Sequence, residues 1–387
     1  MNILHLLSWF PTPDDPTLGN FCLRQINALP DDCHSVILSV CDGKNLKQSF
    51  EIHEIKGERF THIQIAIRPP KINILRKIKM LRMYQHGLHF IRKHYFTPDL
   101  MHLHVTFPLG QLALLWHRLY GLPYVLTEHW TIYQPQNQHI MRGRLKRKIV
   151  KIANHASVIL PVSLDLQRNM ERNGIHNRFQ VIYNLVDTRT FKIGTPSQIG
   201  KKRMLHISTL RDEAKNFSGI LRVVERLRQQ RDDFELHVIH DYEAPEFKAF
   251  AKEHNLNDCV IFHGKKTSAE VAEAFAKTDF FILFSNFENL PCVIVEAFAS
   301  GVPVLSTNVG GIAEIVNSER GILVNSGDED ALLRGMNQML DTYGNYNREA
   351  IRQYALQTFA NEIIGNQIYG QYQKVLQDHR KPECQRQ

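Results

Sequence analysis

The sequence predicts an α/β protein made of two doubly wound, Rossmann-like domains, and three observations carry that prediction. The chain has 387 residues, too many for one ordinary hydrophobic core. Short runs rich in Val, Ile, Leu and Phe alternate with helix-period segments, the pattern of parallel strands covered by helices on both faces. That pattern runs twice, on either side of residues 191–202, where Gly194, Pro196, Ser197 and Gly200 give the composition of a linker.

In the first half, strands are expected at residues 3–8, 34–40, 100–104, 124–127 and 158–162. In the second they are expected at 204–208, 234–239, 260–263, 280–284, 303–306 and 322–324, with a helical segment at 344–377. The expected domains are 1–195 and 196–360, followed at 361–387 by a C-terminal helix and tail that packs back toward the first domain. Open α/β sheets bind ligands at the carboxyl ends of their strands, near a switch in strand order. Two such domains facing a cleft would therefore carry their chemistry on strand-end loops.

Composition narrows the class. A hydrophobic content of 43% and a charged content of 22% exclude a disordered chain. Cys22, Cys33, Cys41, Cys259, Cys292 and Cys384 are scattered singly, with no zinc-ligand spacing. That fits a reducing compartment rather than a disulfide framework. The first strand lacks the basic flank and cleavage site of a signal peptide. No run approaches the roughly 18 apolar residues of a membrane-spanning helix. A cytoplasmic protein is expected.

The net charge of +8 is unevenly placed: residues 1–190 hold 24 Lys+Arg against 13 Asp+Glu, and the remainder 23 against 26. One acid-free basic stretch, 68–96, contains Arg76, Lys77 and Lys79 interleaved with Ile72, Leu75, Ile78 and Leu81. A second, 142–151, contains Arg142, Arg144, Lys146, Arg147 and Lys148 interleaved with Leu145, Ile149 and Ile152. Both are basic amphipathic helices. An anionic membrane surface or lipid-linked acceptor, a solvated face and nucleic acid all remain open readings. No recognition motif accompanies the charge, which places nucleic acid last.

The densest constellation follows the strand at 280–284. Glu288 and Glu296 are separated by seven residues, with Pro291 between them at a position suited to the first turn of a helix. Glu288 then lies in the loop and Glu296 about two turns inside the helix. The helix N-terminus offers N–H groups and a positive dipole to a phosphate, and the carboxylates can accept hydrogen bonds from sugar hydroxyls. Two plain helix acids would show the same letters. Upstream, Lys215 in the loop after strand 204–208 would neutralise charge gathering on a leaving diphosphate. Gly19 would permit close backbone approach at the start of helix 20–28. His129 ends a strand in Thr127-Glu128-His129-Trp130. Asp328-Glu329-Asp330 spells a metal-binding D-x-D, but it opens a helix, where N-terminal acids explain it.

The run from Glu288 to Val316 resembles the signature of glycosyltransferase family 4, a group of retaining enzymes with the two-domain GT-B fold. Glu288, Glu296, Ala297, Gly301, Pro303, Val304, Gly310, Gly311 and Glu314 stand at its motif positions. The resemblance implies a nucleotide-sugar donor whose ribose is bound by Glu296 and whose sugar lies by Glu288. It implies that the backbone of residues 289–293, with Asn289, Leu290, Pro291 and Cys292, holds the diphosphate and sugar. It assigns Lys215 to the diphosphate and His129 to the transferred sugar. The family's Arg six positions before the lysine is Thr209 here, with Arg211 as the candidate substitute. Its usual glycine pair is reduced to Leu18-Gly19-Asn20, and its PNGVD segment appears as Tyr183-Asn184-Leu185-Val186-Asp187.

The expectation that results is a metal-independent, cofactor-free retaining glycosyltransferase. It would move a sugar to a glycan or lipid-linked acceptor in cell-surface polysaccharide assembly, peripherally at the inner face of the cytoplasmic membrane. An epimerase or a non-catalytic GT-B module that binds nucleotide sugars is the alternative. An NAD-dependent enzyme is disfavoured because no GxGxxG follows any strand.

Overall fold

The computed structural model describes residues 1–10, 19–43, 46–194, 200–241 and 243–380. Leu18, the linker residues Pro196 and Ser197, and the tail 381–387 with Cys384 lie outside the described residues. The chain forms two compact units. The first comprises Met1–Val162, Gln167–Ile182 and the segment from Ile364 onward; the second comprises Ser163–Leu166 and Tyr183–Ile363.

The first unit contains, in chain order, β1 (Asn2–Leu7), α1 (Asn20–Asn27), β2 (His34–Asp42), β3 (Phe50–Lys56), β4 (Phe60–Ile67), α2 (Asn73–His94) and β5 (Leu100–His104). There follow α3 (Gly110–Tyr120), β6 (Tyr124–Glu128), α4 (Gly143–Asn154), β7 (Val158–Pro161) and most of α5 (Leu164–Arg172). Its sheet runs β3-β4-β2-β1-β5-β6-β7. The sheet is not wholly parallel as expected, because β3 pairs antiparallel with β4. The sequence reading missed both strands: β3 (FEIHEIK) is an edge strand whose last four residues are exposed, whereas β4, with Ile63, Ile65 and Ile67 buried, carried apolar letters that were overlooked.

The second unit contains β8 (Lys202–Ser208), α6 (Asp212–Lys215), α7 (Phe217–Arg228), β9 (Phe234–His240), α8 (Pro245–Glu253), β10 (Val260–Gly264) and α9 (Ser268–Ala276). It continues with β11 (Phe280–Leu283), α10 (Cys292–Ala299), β12 (Val304–Thr307), α11 (Ile312–Ile315), β13 (Gly321–Val324), α12 (Glu329–Thr342) and α13 (Arg348–Phe359). The last helix, α14 (Asn361–Arg380), belongs to the first unit from Ile364 onward. The second sheet is parallel throughout, in the order β10-β9-β8-β11-β12-β13.

Burial on both faces explains why β11 reads Phe-Phe-Ile-Leu without alternation: all four side chains are fully buried. Phe280 and Ile282 join Phe217, Val224, Phe234 and Met336 in one core. Each such side chain contributes about 1.5–3 kcal/mol of transfer free energy. Phe191, read from sequence as linker, is instead buried edge-on against Phe275. Gly194 passes so close to Ala276 that a Cβ would strike its backbone. The expected helix at 344–377 is two helices, α13 and α14, divided at Ala360, which bridges Val186.

Candidate active site

In the second sheet the strand order reverses between β8 and β11, which are neighbours. The loops after these two strands therefore flank the switch point. The first leads into the single turn of α6, ending at Lys215; the second carries Ser285 to Pro291. The loops are tied together: Asn286 donates its backbone N–H to Ala214 O (2.8 Å) and its side-chain amide to Glu213 O (2.9 Å). This stitching brings the Lys215 ammonium onto Glu288 Oε1 as an ion pair. Ser285 Oγ donates to the same carboxylate oxygen at 2.8 Å. Glu288 is almost wholly buried, at 7% exposure, so its charge relies on these donors.

Pro291 stands immediately before α10 rather than in its first turn, and no side chain caps the helix. Glu296 is the fifth residue of α10, little more than one turn in rather than two, and it is buried. Burial sets it apart from an ordinary solvated helix acid. The Gly310–Gly311 pair locks this loop from behind. Gly310 has φ +54°, and a Cβ there would collide with the Glu288 carbonyl. Gly311 donates its N–H to Asn289 O at 2.6 Å. Asn184 Nδ2 donates to Leu290 O (2.7 Å), and Thr307 Oγ1 to Ser285 O (2.8 Å). The segment from 285 to 291 is thus held by glycine contacts, an amide and two hydroxyls. Glu314 takes a structural post: its carboxylate accepts the backbone N–H groups of Leu164 and Asp165 at 2.9 and 2.8 Å.

Arg211 is exposed and precedes α6, where its carbonyl accepts the N–H groups of Ala214 and Lys215. Thr209 lies two residues earlier, half-buried. The D-x-D letters resolve into helix chemistry: Asp328 caps α12 by accepting Ala331 N–H (2.8 Å), Glu329 pairs with Arg222, and Asp330 pairs with Arg226.

In the first unit, His129 directly follows β6. Burial of its ring lowers the imidazole pKa to about 3, so it is neutral at physiological pH. Sequence reasoning missed its neighbour Glu128, a fully buried carboxylate. One oxygen accepts the N–H groups of both His129 and Trp130 at 2.9 Å. The other accepts Thr106 N–H, the Thr106 hydroxyl and the Tyr133 hydroxyl. Burial raises its pKa, and these hydrogen bonds offset part of the rise. A charged letter at the end of an otherwise apolar strand was the available signal. The close approach at Gly19 (φ +70°) is to the Trp9 carbonyl, where a Cβ would collide, so the fold alone accounts for glycine.

The basic stretches divide. In α4, Ile149 and Ile152 are buried, and Arg142, Arg144, Arg147 and Lys148 form a solvated face with half-buried Lys146. In α2, Arg76 is paired with Asp42, and Lys79 donates to the carbonyls of Ser49 and Arg68 at 3.0 Å. Two of the three cations expected to face a partner are thus engaged within the unit, whereas Lys77 is exposed.

His5 on β1 and His102 and His104 on β5 form a buried trio, with ring nitrogens within 4.8 Å of one another. His102 is bonded through both nitrogens, to the Tyr372 hydroxyl (2.6 Å) and Thr127 Oγ1 (2.7 Å). His5 bridges His104 (3.3 Å) and Ser35 Oγ (3.1 Å). The trio is a hydrogen-bonded polar layer that ties α14 to the first sheet. Burial lowers all three pKa values, that of His104 to about 3.

Comparison with known proteins agrees with this arrangement. Residues 187–358 match the family described as glycosyl transferases group 1, and residues 18–190 match glycosyltransferase family 4. The chain is 27% identical over 302 residues to N-acetyl-alpha-D-glucosaminyl L-malate synthase of Bacillus anthracis, covering 72% of this chain and 76% of that protein. It is 26% identical over 249 residues to a putative teichuronic acid biosynthesis glycosyltransferase of Bacillus subtilis, covering 61% and 59% of the two. HepE of Anabaena, solved in complex with UDP, superposes with a TM-score of 0.74 at 18% identity over 97% of this chain and all of that one.

Proposed function

The chain belongs to the group 1 glycosyl transferases, a GT-B enzyme family, and on that premise we propose how its residues act. The protein moves a sugar with retention of anomeric configuration from a nucleotide-diphosphate sugar to a glycan or lipid-linked acceptor. It works in surface polysaccharide assembly, peripherally at the inner face of the cytoplasmic membrane. The observation that carries the reading is the Lys215–Glu288 pair, held at the strand switch beside the uncapped start of α10.

In this reading the diphosphate docks at α10, where the backbone of residues 289–293 and the helix dipole favour negative charge. Lys215 turns from Glu288 to the phosphates and offsets the charge that develops as the C–O bond breaks. Glu288 is left to accept hydrogen bonds from the donor sugar, and Glu296 binds the ribose hydroxyls. Neutral His129 hydrogen-bonds the transferred sugar, with Glu128 fixing its backbone. The acceptor hydroxyl attacks the face the diphosphate leaves, and a phosphate oxygen receives its proton, so no protein carboxylate serves as base. Lys215 and the helix dipole supply the electrostatic stabilisation without a metal. Arg211 takes the part of the cation missing at Thr209, and Gly19 shapes the loop after β1.

Turnover of Lys215→Ala and Glu288→Ala with an accepted donor tests the assignment; near-wild-type kcat in both would sink it. A melting screen against UDP-, GDP- and ADP-sugars names the donor. Release of nucleoside diphosphate without acceptor separates an enzyme from a binding module, which would show a melting shift and no turnover.

A further inference from the structure

The N-terminal half of α2 does not obey the rule that an amphipathic helix buries its apolar side. Its 22 residues span about 33 Å at 1.5 Å per residue. The C-terminal half is packed on the sheet through Tyr84, Gly87, Leu88 and Ile91, all buried. A Cβ at Gly87 would press on Leu38 of β2, so this end of the helix lies close against the sheet. The other half is exposed. Ile74 is 65% exposed, Leu75 48%, Ile78 45% and Leu81 46%, and Ile72 just before the helix is 58%.

Ile74, Ile78 and Leu81 follow i, i+4, i+7 spacing and so share one face, with Leu75 at its margin. Lys71, Lys77 and Arg82 fall on or beside that face, are exposed, and make no hydrogen bond or ion pair with any described residue. No acid occurs between residues 59 and 98. The contrast with α4 is chemical: α4 is as basic, but its isoleucines are buried.

We propose that the exposed half of α2 is a membrane anchor, inserting Ile74, Ile78 and Leu81 below the headgroups of an anionic bilayer while Lys71, Lys77 and Arg82 pair with lipid phosphates. An exposed apolar stripe flanked by unpaired cations is the pattern of an interfacial helix. Charge complementarity selects an anionic surface, because the stripe has no carboxylate to meet a basic partner. The proposal rests on the glycosyltransferase reading only for its purpose, which is to hold the enzyme where a lipid-linked acceptor presents its sugar. Insertion differs from charge attraction alone in surviving salt.

Flotation of the full chain with vesicles of phosphatidylcholine, with and without phosphatidylglycerol, tests this. The wild type is expected to float with the anionic vesicles and to keep part of that binding in high salt. The triple variant Ile74→Ser, Ile78→Ser, Leu81→Ser is expected to bind roughly tenfold or more weakly, with donor hydrolysis in vesicle-free buffer unchanged. Should the triple variant fail to fold, Ile78→Trp alone serves: brominated lipid is expected to quench it well beyond the wild type. Wild type that stays at the bottom of the gradient, a triple variant that floats equally, or no added quenching each overturns the anchor. So does vesicle binding that vanishes in moderate salt, since that marks surface charge only. Vesicle binding without donor turnover instead sinks the enzymatic reading and leaves the anchor standing.

Discussion

The ammonium of Lys215 rests on the carboxylate of Glu288, 73 positions later in the chain. The pair forms because α6 and the loop after β11 are stitched together through Asn286. Each charge is therefore held by the other, and under the proposed mechanism a diphosphate would compete with Glu288 for the ammonium.

Competition within this pair gives a signed expectation. Glu288→Gln keeps the shape but frees Lys215, so nucleoside diphosphate should bind about three- to tenfold more tightly while transfer falls. Lys215→Met should weaken diphosphate binding and cut kcat about 10²–10³-fold. Calorimetric titration with the diphosphate checks the first; weaker binding by Glu288→Gln would contradict it.

Gly310→Ala sets a Cβ against the Glu288 carbonyl at a φ of +54°. Either that loop moves or the substitution is strained, and a cost of about 2–4 kcal/mol is expected. Urea unfolding, together with a donor KM raised more than tenfold, would register it. A variant of wild-type stability and KM would show that the close approach is dispensable.

Glu128→Gln replaces an oxygen with an amide nitrogen among donors that all need an acceptor. A loss of about 1–3 kcal/mol is expected in the first unit, with kcat reduced through the displaced His129. Glu128→Asp is too short to reach both sets of donors and should not rescue. Wild-type kcat in Glu128→Gln would separate this carboxylate from the placement of His129.

Acid should weaken the first unit. His5, His102 and His104 have folded pKa values below the ordinary value near 6.5. Between the folded and unfolded values the unfolded chain binds more protons, so stability rises with pH. It is complete above about 6.5 and is lost as pH falls toward 3. Each imidazole contributes a slope approaching ~1.4 kcal/mol per pH unit in that window. All three tryptophans (Trp9, Trp116 and Trp130) lie in the first unit, so their fluorescence in urea follows this unit alone. Equal midpoints at pH 7.5 and pH 5 would refute the expectation.

The second unit was largely legible because its motif residues sit where strand order and helix start determine chemistry together. Strand order put Lys215 and Glu288 on the loops after β8 and β11, whereas the Gly310–Gly311 pair was marked only by the resemblance to glycosyltransferase family 4. What stayed hidden depends on three-dimensional neighbours. Spacing marks the α2 stripe as amphipathic, yet only packing shows that Ile74 and Ile78 face outward while the isoleucines of α4 face in. Gly19 looked like a ligand-approach glycine, and its constraint is the Trp9 carbonyl. Phe191 carried linker neighbours and a core destination. Glu128 was passed over because two of its five donors come from Thr106, 22 positions earlier, and only the fold brings them to its carboxylate.

Placing α14 from Ile364 onward in the first unit has a consequence for synthesis. The hydroxyl that fixes His102 comes from Tyr372, and Gly365 abuts the Ala28 carbonyl at the end of α1 so closely that a Cβ would strike it. As the chain emerges from the ribosome, the first unit would lack the hydroxyl on His102 until residues 364–380 had been made. The second unit, complete in one stretch from Tyr183 to Ile363 apart from the short insert Ser163–Leu166, can reach its native state earlier. A stop codon near residue 360 would therefore injure the half of the protein translated first.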